Sequence, residues 1–229
     1  MTAGNTTIRD YLAKLEDKVS VPGGGGASAL AGAYGVALGR MVIAFTRGKK
    51  KYREYDEHLA YIDARLQKLR EAFLELSDED EQVFLPLSKA YSLPEDTVEE
   101  KDYKEVTLEE CLEKASLTPI KVMEKACEAL NYMETLSREG SRLMQSDVGV
   151  GVGLLDSALH GAIMNVYINT KMMKNRNRMM ELNDYARKLL LDGGSKARLI
   201  YETVEDGLRP VYDRESEFIE RNKVDFLRS

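Results

Sequence analysis

Residues 21–35 read VPGGGGASALAGAYG, four consecutive glycines running straight into a segment of alanine and glycine with helical period. Glycine loses more backbone freedom on folding than any other residue, so four in succession need a structural reason. From Ala27 to Thr46 the chain carries a single charge, Arg40, and few side chains of any bulk. Such a helix suits a bilayer or an interior in which neighbouring backbones come close. Alanine and glycine are barely apolar, and Arg40 would cost roughly 2.5–3.5 kcal/mol near a bilayer centre. The segment therefore reads as a buried helix of a soluble bundle, without a membrane partner.

The remainder also scans as helix, and the fold class is all-α, a bundle of long helices. With no linker or low-complexity tract to divide it, the chain reads as a single domain over 1–229. Ile8, Leu12 and Leu15 mark a first amphipathic helix, with Thr7 and Asp10 as its cap. A long one follows through Leu59, Ile62, Leu66, Leu69, Phe73 and Leu76, with a kink or break expected at Pro86 and an end near Pro94. The charged stretch EDTVEEKDYKE precedes a helix over 107–116. Thr118-Pro119 reads as a fresh start, an N-cap with proline at the first helical position, and that helix runs to Gly140. Ser146-Asp147 opens another, and Gly193-Gly194 separates two more.

Two rows of small residues have a spacing of four: Ala27, Ala31, Gly35, Gly39, and Gly149, Gly153, Ser157, Gly161 continuing into Asn165 and Asn169. Each row lies on one helix face. Close helix packing and a narrow slot for a flat ligand both account for it. The glycine run fits neither a Walker loop nor a dinucleotide fingerprint, because no strand precedes it and Gly48-Lys49 is followed by lysine. Either it is a tight turn, or it bares the N–H groups of a helix N-terminus for an anion or a polar ring edge.

The stretches PGGGGASALAGAYGVALGRMV, TRGKKKY, LSDEDEQVF, SLTPIKVMEKACEAL and QSDVGVGVGLLDSALHGAIMNVYINTK, in that order, resemble the folate cyclodeaminase/cyclohydrolase family over about 7–180. The resemblance implies a helical, dimer-forming enzyme with folate in a cleft near the glycine run. It would cyclise 5-formimidoyltetrahydrofolate to 5,10-methenyltetrahydrofolate with loss of ammonia. The alternative is interconversion of methenyl- and 10-formyltetrahydrofolate with water, and a further one is a non-catalytic folate-binding protein. No cofactor beyond the tetrahydrofolate itself, and no metal, is implied.

That chemistry needs one positioned carboxylate to shuttle a proton. Asp80 shares a helix face with Leu76, Val83 and Phe84, which turns it inward, and it matches the family's acidic site residue; a cap charge set by Ser77 is the competing account. Asp147 is the second catalytic candidate. Candidate substrate contacts are Gly23, Gly24, Gly25, Gly26, Ser28 and Ser146, with Asn165 and Asn169 for the pterin edge and Lys50 for a glutamate tail of whatever length. Structural accounts compete for Ser146 and Asp147 as helix caps and for the two asparagines as buried amides. His58 reads as exposed, while His160 could reach the cleft; neither belongs to a metal-ligand spacing. A net charge of −6 argues against a nucleic-acid partner despite KNRNR at 174–178. The N-terminal stretch lacks an apolar h-region. Cys111 and Cys127 read as buried thiols of a reducing, cytoplasmic compartment, with a disulfide left open.

Overall fold

The computed structural model describes residues 2–210. Among them there are six α-helices and no strand: α1 (Ile8–Leu15), α2 (Gly24–Thr46), α3 (Asp56–Tyr91), α4 (Val98–Glu139), α5 (Gln145–Thr170) and α6 (Arg176–Leu208). Short 3-10 turns lie at Ala3–Asn5, Lys50–Tyr55 and Arg142–Met144. α2 packs on α3, α4 and α5, and α5 in turn on α2, α4 and α6, so these two small-residue helices form the middle of the bundle. Around them Leu59, Ile62, Leu66 and Phe73 of α3 meet Met123, Leu130, Met133 and Leu136 of α4 with almost no exposure. Among the described residues α2 is the one helix long and apolar enough to cross a bilayer. Its Ala29, Val36, Val42 and Ile43 are instead buried in the bundle.

The small residues act at one crossing above all. A Cβ on Gly35 would stand 2.7 Å from the carbonyl oxygen of Gly151, and one on Gly151 would stand 3.0 Å from that of Gly35. α2 and α5 thus touch backbone to backbone. Gly24 lies beside Asn165 while Gly35 lies beside Gly151, so the two helices are antiparallel. Gly151 is not in the expected row. Of that row, Gly161 packs on Ser28 and Gly149 faces Val204, whereas Gly153 faces open space.

Several boundaries differ from the sequence reading. Thr7 caps α1 as expected, its Oγ1 accepting from the Asp10 N–H at 3.1 Å. Yet Ile8 and Leu12 are exposed and Tyr11 is the residue α1 buries. No helix starts at Thr118-Pro119, and none is confined to 107–116. α4 is continuous from a capping box in which Thr97 and Glu100 bond each other's backbone N–H. Proline in a helix interior leaves the carbonyl four residues back without a donor. Here that carbonyl belongs to Ala115, and the side-chain amide of Asn169 on α5 donates to it at 2.9 Å. Pro86 likewise sits inside α3 without ending it, and α3 stops at Tyr91, before Pro94.

Gly193-Gly194 does not divide α6. A Cβ on Gly193 would stand 2.7 Å from Leu159 Cδ1 and 2.8 Å from Cys127 Sγ, so the glycine admits close contact with α5 and α4. Ser146 and Asp147 are not caps either: they lie in the first turn of α5 after Met144, which makes no side-chain capping bond. Cys111 and Cys127 are unpaired and half-buried.

Candidate functional site

The first four N–H groups of an α-helix have no partner within it. Gly23, the N-cap of α2, has no side chain to supply one. Asp80, reaching across from α3, does so: its Oδ2 accepts the Gly26 N–H at 2.9 Å. Its other oxygen lies where Gly25 would carry a side chain, since a Cβ there would stand 2.1 Å from Oδ1. Among the described residues Gly48 alone has a positive φ, 76°. The glycine run therefore is not needed to turn the chain; it makes room for a carboxylate against the mouth of α2.

Asp80 sits in the middle of α3, far from either end, so the account of it as a cap charge fails. Two forces act on its proton. Burial pushes the carboxyl above its ordinary value, the Gly26 N–H pulls it down, and the nearby charge of Glu81 pushes it up again; the net shift is upward. Desolvation outweighs the helix end. A carboxyl so raised exchanges protons closer to neutrality than an exposed aspartate does.

On the other side of Gly26, the hydroxyls of Tyr11 and Ser77 lie 3.1 and 3.2 Å from the position a Cβ would take. Both are buried and neither makes a well-aligned hydrogen bond. Burial raises the Tyr11 phenol, contact with the Ser77 hydroxyl offsets part of this, and the charges of Glu81, Asp80 and Asp78 add to it. Next to Asp80, Glu79 Oε1 accepts from Thr118 Oγ1 at 2.9 Å and from Lys121 Nζ at 2.7 Å. Tyr11, Ser77, Thr118 and Lys121 were not among the sequence candidates. Helical period could have signalled Ser77, which follows Phe73 by four on the buried stripe of α3.

Of the sequence candidates, the structure gathers Gly23, Gly24, Gly25, Gly26, Ser28, Asp80 and Asn165. The Asn165 amide stands 3.5 Å from where Gly24 would carry a Cβ and donates to Gly161 O at 2.9 Å. Ser28 donates to Gly24 O at 2.7 Å while packed on Gly161, which occupies its hydroxyl proton. Asn169 has its amide committed to Ala115, so it pins α5 to the proline of α4.

Lys50, Ser146 and Asp147 are not brought to Asp80 within the chain. At 1.5 Å per residue, Asp147 lies about 27 Å along α5 from Asn165. Lys50 follows the C-terminal end of α2, about 33 Å from Gly24 on the same basis. Ser146 is exposed and instead borders a cleft of about 520 Å³ with Tyr201 and Glu205 of α6. His58 is exposed and bonded to Glu139 at 2.9 Å. His160 is exposed, 3.8 Å from Asp156. Among the described residues no three His, Cys, Asp or Glu side chains group as metal ligands.

The sequence pattern of the formiminotransferase-cyclodeaminase family matches residues 7–188. The chain is 34% identical over 203 residues to a methenyltetrahydrofolate cyclohydrolase of Methylorubrum extorquens, covering 89% of this chain and 98% of that one. It is 27% identical over 195 residues to the formimidoyltransferase-cyclodeaminase of Gallus gallus, of which it spans 36%. A solved formiminotetrahydrofolate cyclodeaminase of Thermotoga maritima superposes with a TM-score of 0.76, over 90% of this chain and 96% of that one. At 22% identity that likeness is one of fold.

Proposed function

Since the chain belongs to the formiminotransferase-cyclodeaminase family, we propose that it is an enzyme of one-carbon folate chemistry in which Asp80 carries the proton. The observation that supports this is the half-buried Asp80 carboxylate, raised by burial and seated on the bare N-terminus of α2. In cyclisation of 5-formimidoyltetrahydrofolate with its formimidoyl nitrogen protonated, N10 attacks the formimidoyl carbon and gives up its proton. The bond from that carbon to the amine then breaks, and ammonia departs with a proton gained. Asp80 takes the first proton and returns one to the leaving nitrogen, ending as it began. Neither step needs a redox group or a Lewis acid, since both the bond made and the bond broken are polar carbon–nitrogen bonds.

The second reading uses water. Asp80 takes a proton from water as the water oxygen bonds to the methenyl carbon, and passes it to N5 as the bond from N5 to that carbon opens. The remaining hydroxyl proton leaves to solvent as the formyl C=O forms, giving 10-formyltetrahydrofolate. Similarity across nearly the whole of a stand-alone cyclohydrolase favours this reading, since the Gallus gallus and Thermotoga maritima cyclodeaminases are less similar in sequence. In either case we propose a cytoplasmic homodimer acting on a tetrahydrofolate derivative, with no resident cofactor. Lys50, Ser146 and Asp147 could join an Asp80 site only from a second copy.

The test assays both substrates side by side by methenyl absorbance, with wild type and Asp80→Asn. The amide keeps an acceptor for Gly26 N–H and cannot take the proton. Turnover of one or both substrates by wild type and its loss in the variant is expected. An Asp80→Asn protein with wild-type turnover would reject the mechanism.

A further inference from the structure

We propose that a groove along the outer face of α2 is a second ligand site, separate from Asp80, for an oxyanion carried on a planar apolar body. One cleft of about 450 Å³ opens between α1, α2 and α3, walled by Leu12, Leu74 and Tyr34 over a floor of Ala27 and Ala31. A second, of about 530 Å³, is bounded by Arg40, Arg47, Asp63 and Arg70. The two share Ala37 and Arg70, so they form one groove with an apolar end and a basic end. Neither is lined by Asp80, Gly25 or Gly26. Tyr11 lines the apolar end and its hydroxyl lies near Gly26, so the groove comes close to the Asp80 site without including the carboxylate.

The charge in this groove runs against that of the chain. The whole sequence carries −6, yet three arginines meet here against Asp63 and the neighbouring Glu71. Arg40 is held by Asp63 at 2.7 Å. Arg70 is paired with its chain neighbour Glu71, both partly exposed, and such surface pairs exchange readily for a better acceptor. Arg47 makes no ion pair among the described residues. A guanidinium at the boundary of an apolar cleft suits an oxyanion whose body lies in the cleft. The apolar end suits a flat ring: the two alanines leave the floor without bulk, and Tyr34 stands half-exposed at the rim. Tyr11, buried, also lines this end.

Fluorescence titration of the whole chain with 1-naphthoate, 1-naphthyl phosphate and neutral 1-naphthylmethanol tests the site. One anion per chain is expected to bind, the tighter of the two anions naming the class, with the neutral probe about tenfold weaker. Ala31→Phe fills the floor and is expected to abolish binding. Arg70→Gln, on the surface and harmless to the fold by circular dichroism, is expected to weaken the anions about tenfold and leave the neutral probe unchanged. Equal binding of the neutral probe, or wild-type affinity in both variants, overturns the proposal. So does displacement of naphthoate by saturating methenyltetrahydrofolate, which would make the groove part of the Asp80 site. A dimer that Ala31→Phe dissociates, in a protein that binds none of the probes, overturns it in favour of a second copy in the groove.

Discussion

If the glycine run exists to admit a carboxylate, its members are not equivalent, and alanine substitution separates them. In Gly25→Ala the new methyl would stand 2.1 Å from Asp80 Oδ1, where ordinary contact begins at 3.4 Å. The carboxylate, or the first turn of α2, must therefore retreat by more than 1 Å. A misplacement of about 1 Å at a reacting group is worth about 100-fold in rate. Stability moves less: overpacking costs about 1–3 kcal/mol, and alanine recovers up to about 1 kcal/mol of helix propensity. Gly24→Ala is the control, because its methyl would meet the Asn165 amide at 3.5 Å, an ordinary contact. The assay is kcat and KM by methenyl absorbance, with urea midpoints on the same samples. Gly25→Ala should lose about two orders of magnitude in kcat, while Gly24→Ala stays within about threefold. A Gly25→Ala enzyme as fast as Gly24→Ala would show that the space beside Asp80 is not what the glycine provides.

Other perturbations test the surrounding framework. Because burial raises Asp80 above its ordinary value, its neutral form is the one the fold favours. That contribution to stability is fully present below the ordinary carboxylate range and is lost as pH rises through the raised value. Asp80→Asn should accordingly be at least as stable as wild type in urea at pH 7, with the two converging near pH 3; an Asn variant clearly less stable at neutral pH contradicts the sign. Asn169→Ala uncovers the Ala115 carbonyl and should cost about 1–3 kcal/mol. In a Pro119→Ala background, where position 119 regains its N–H, the same change should cost at least about 0.5 kcal/mol less, measured as a double-mutant cycle. Gly193→Ala, pressed against Leu159 and Cys127, should destabilise by up to about 2 kcal/mol. Gly194→Ala, which meets Asp156 at 3.7 Å, should stabilise by up to about 1 kcal/mol; equal effects would return the pair to the status of a simple helix break.

The features legible in the sequence are those decided within one helical turn. Thr7 caps α1 through a residue three positions on, and the flanking Leu76 marks the inward face of Asp80. The misread features are those whose deciding partner lies far along the chain. Thr118-Pro119 has every local mark of a helix start, yet the missing donor is replaced by Asn169, 54 residues from the carbonyl it serves. Gly193 looks like a breaker because a glycine that turns a chain and a glycine that admits a neighbour are written with the same letter. Only Leu159 and Cys127, on other helices, tell them apart.

The site candidates divide along the same line. Helical period states which face a residue occupies, and Gly149, Ser157 and Asn165 share one by spacing. It does not state at which end of a long helix chemistry takes place. Because α2 and α5 cross antiparallel at Gly35 and Gly151, the row on α5 starts near the middle of α2 and reaches the glycine run at Asn165. Within one chain Ser146 and Asp147 therefore lie on the helix that reaches the glycine run, at the opposite end from Asn165. The sequence shows two backbones able to touch, but the direction in which they run past each other is a property of the packed pair. That direction decides whether residues from the two helices converge on Asp80 or are parted by the length of the bundle.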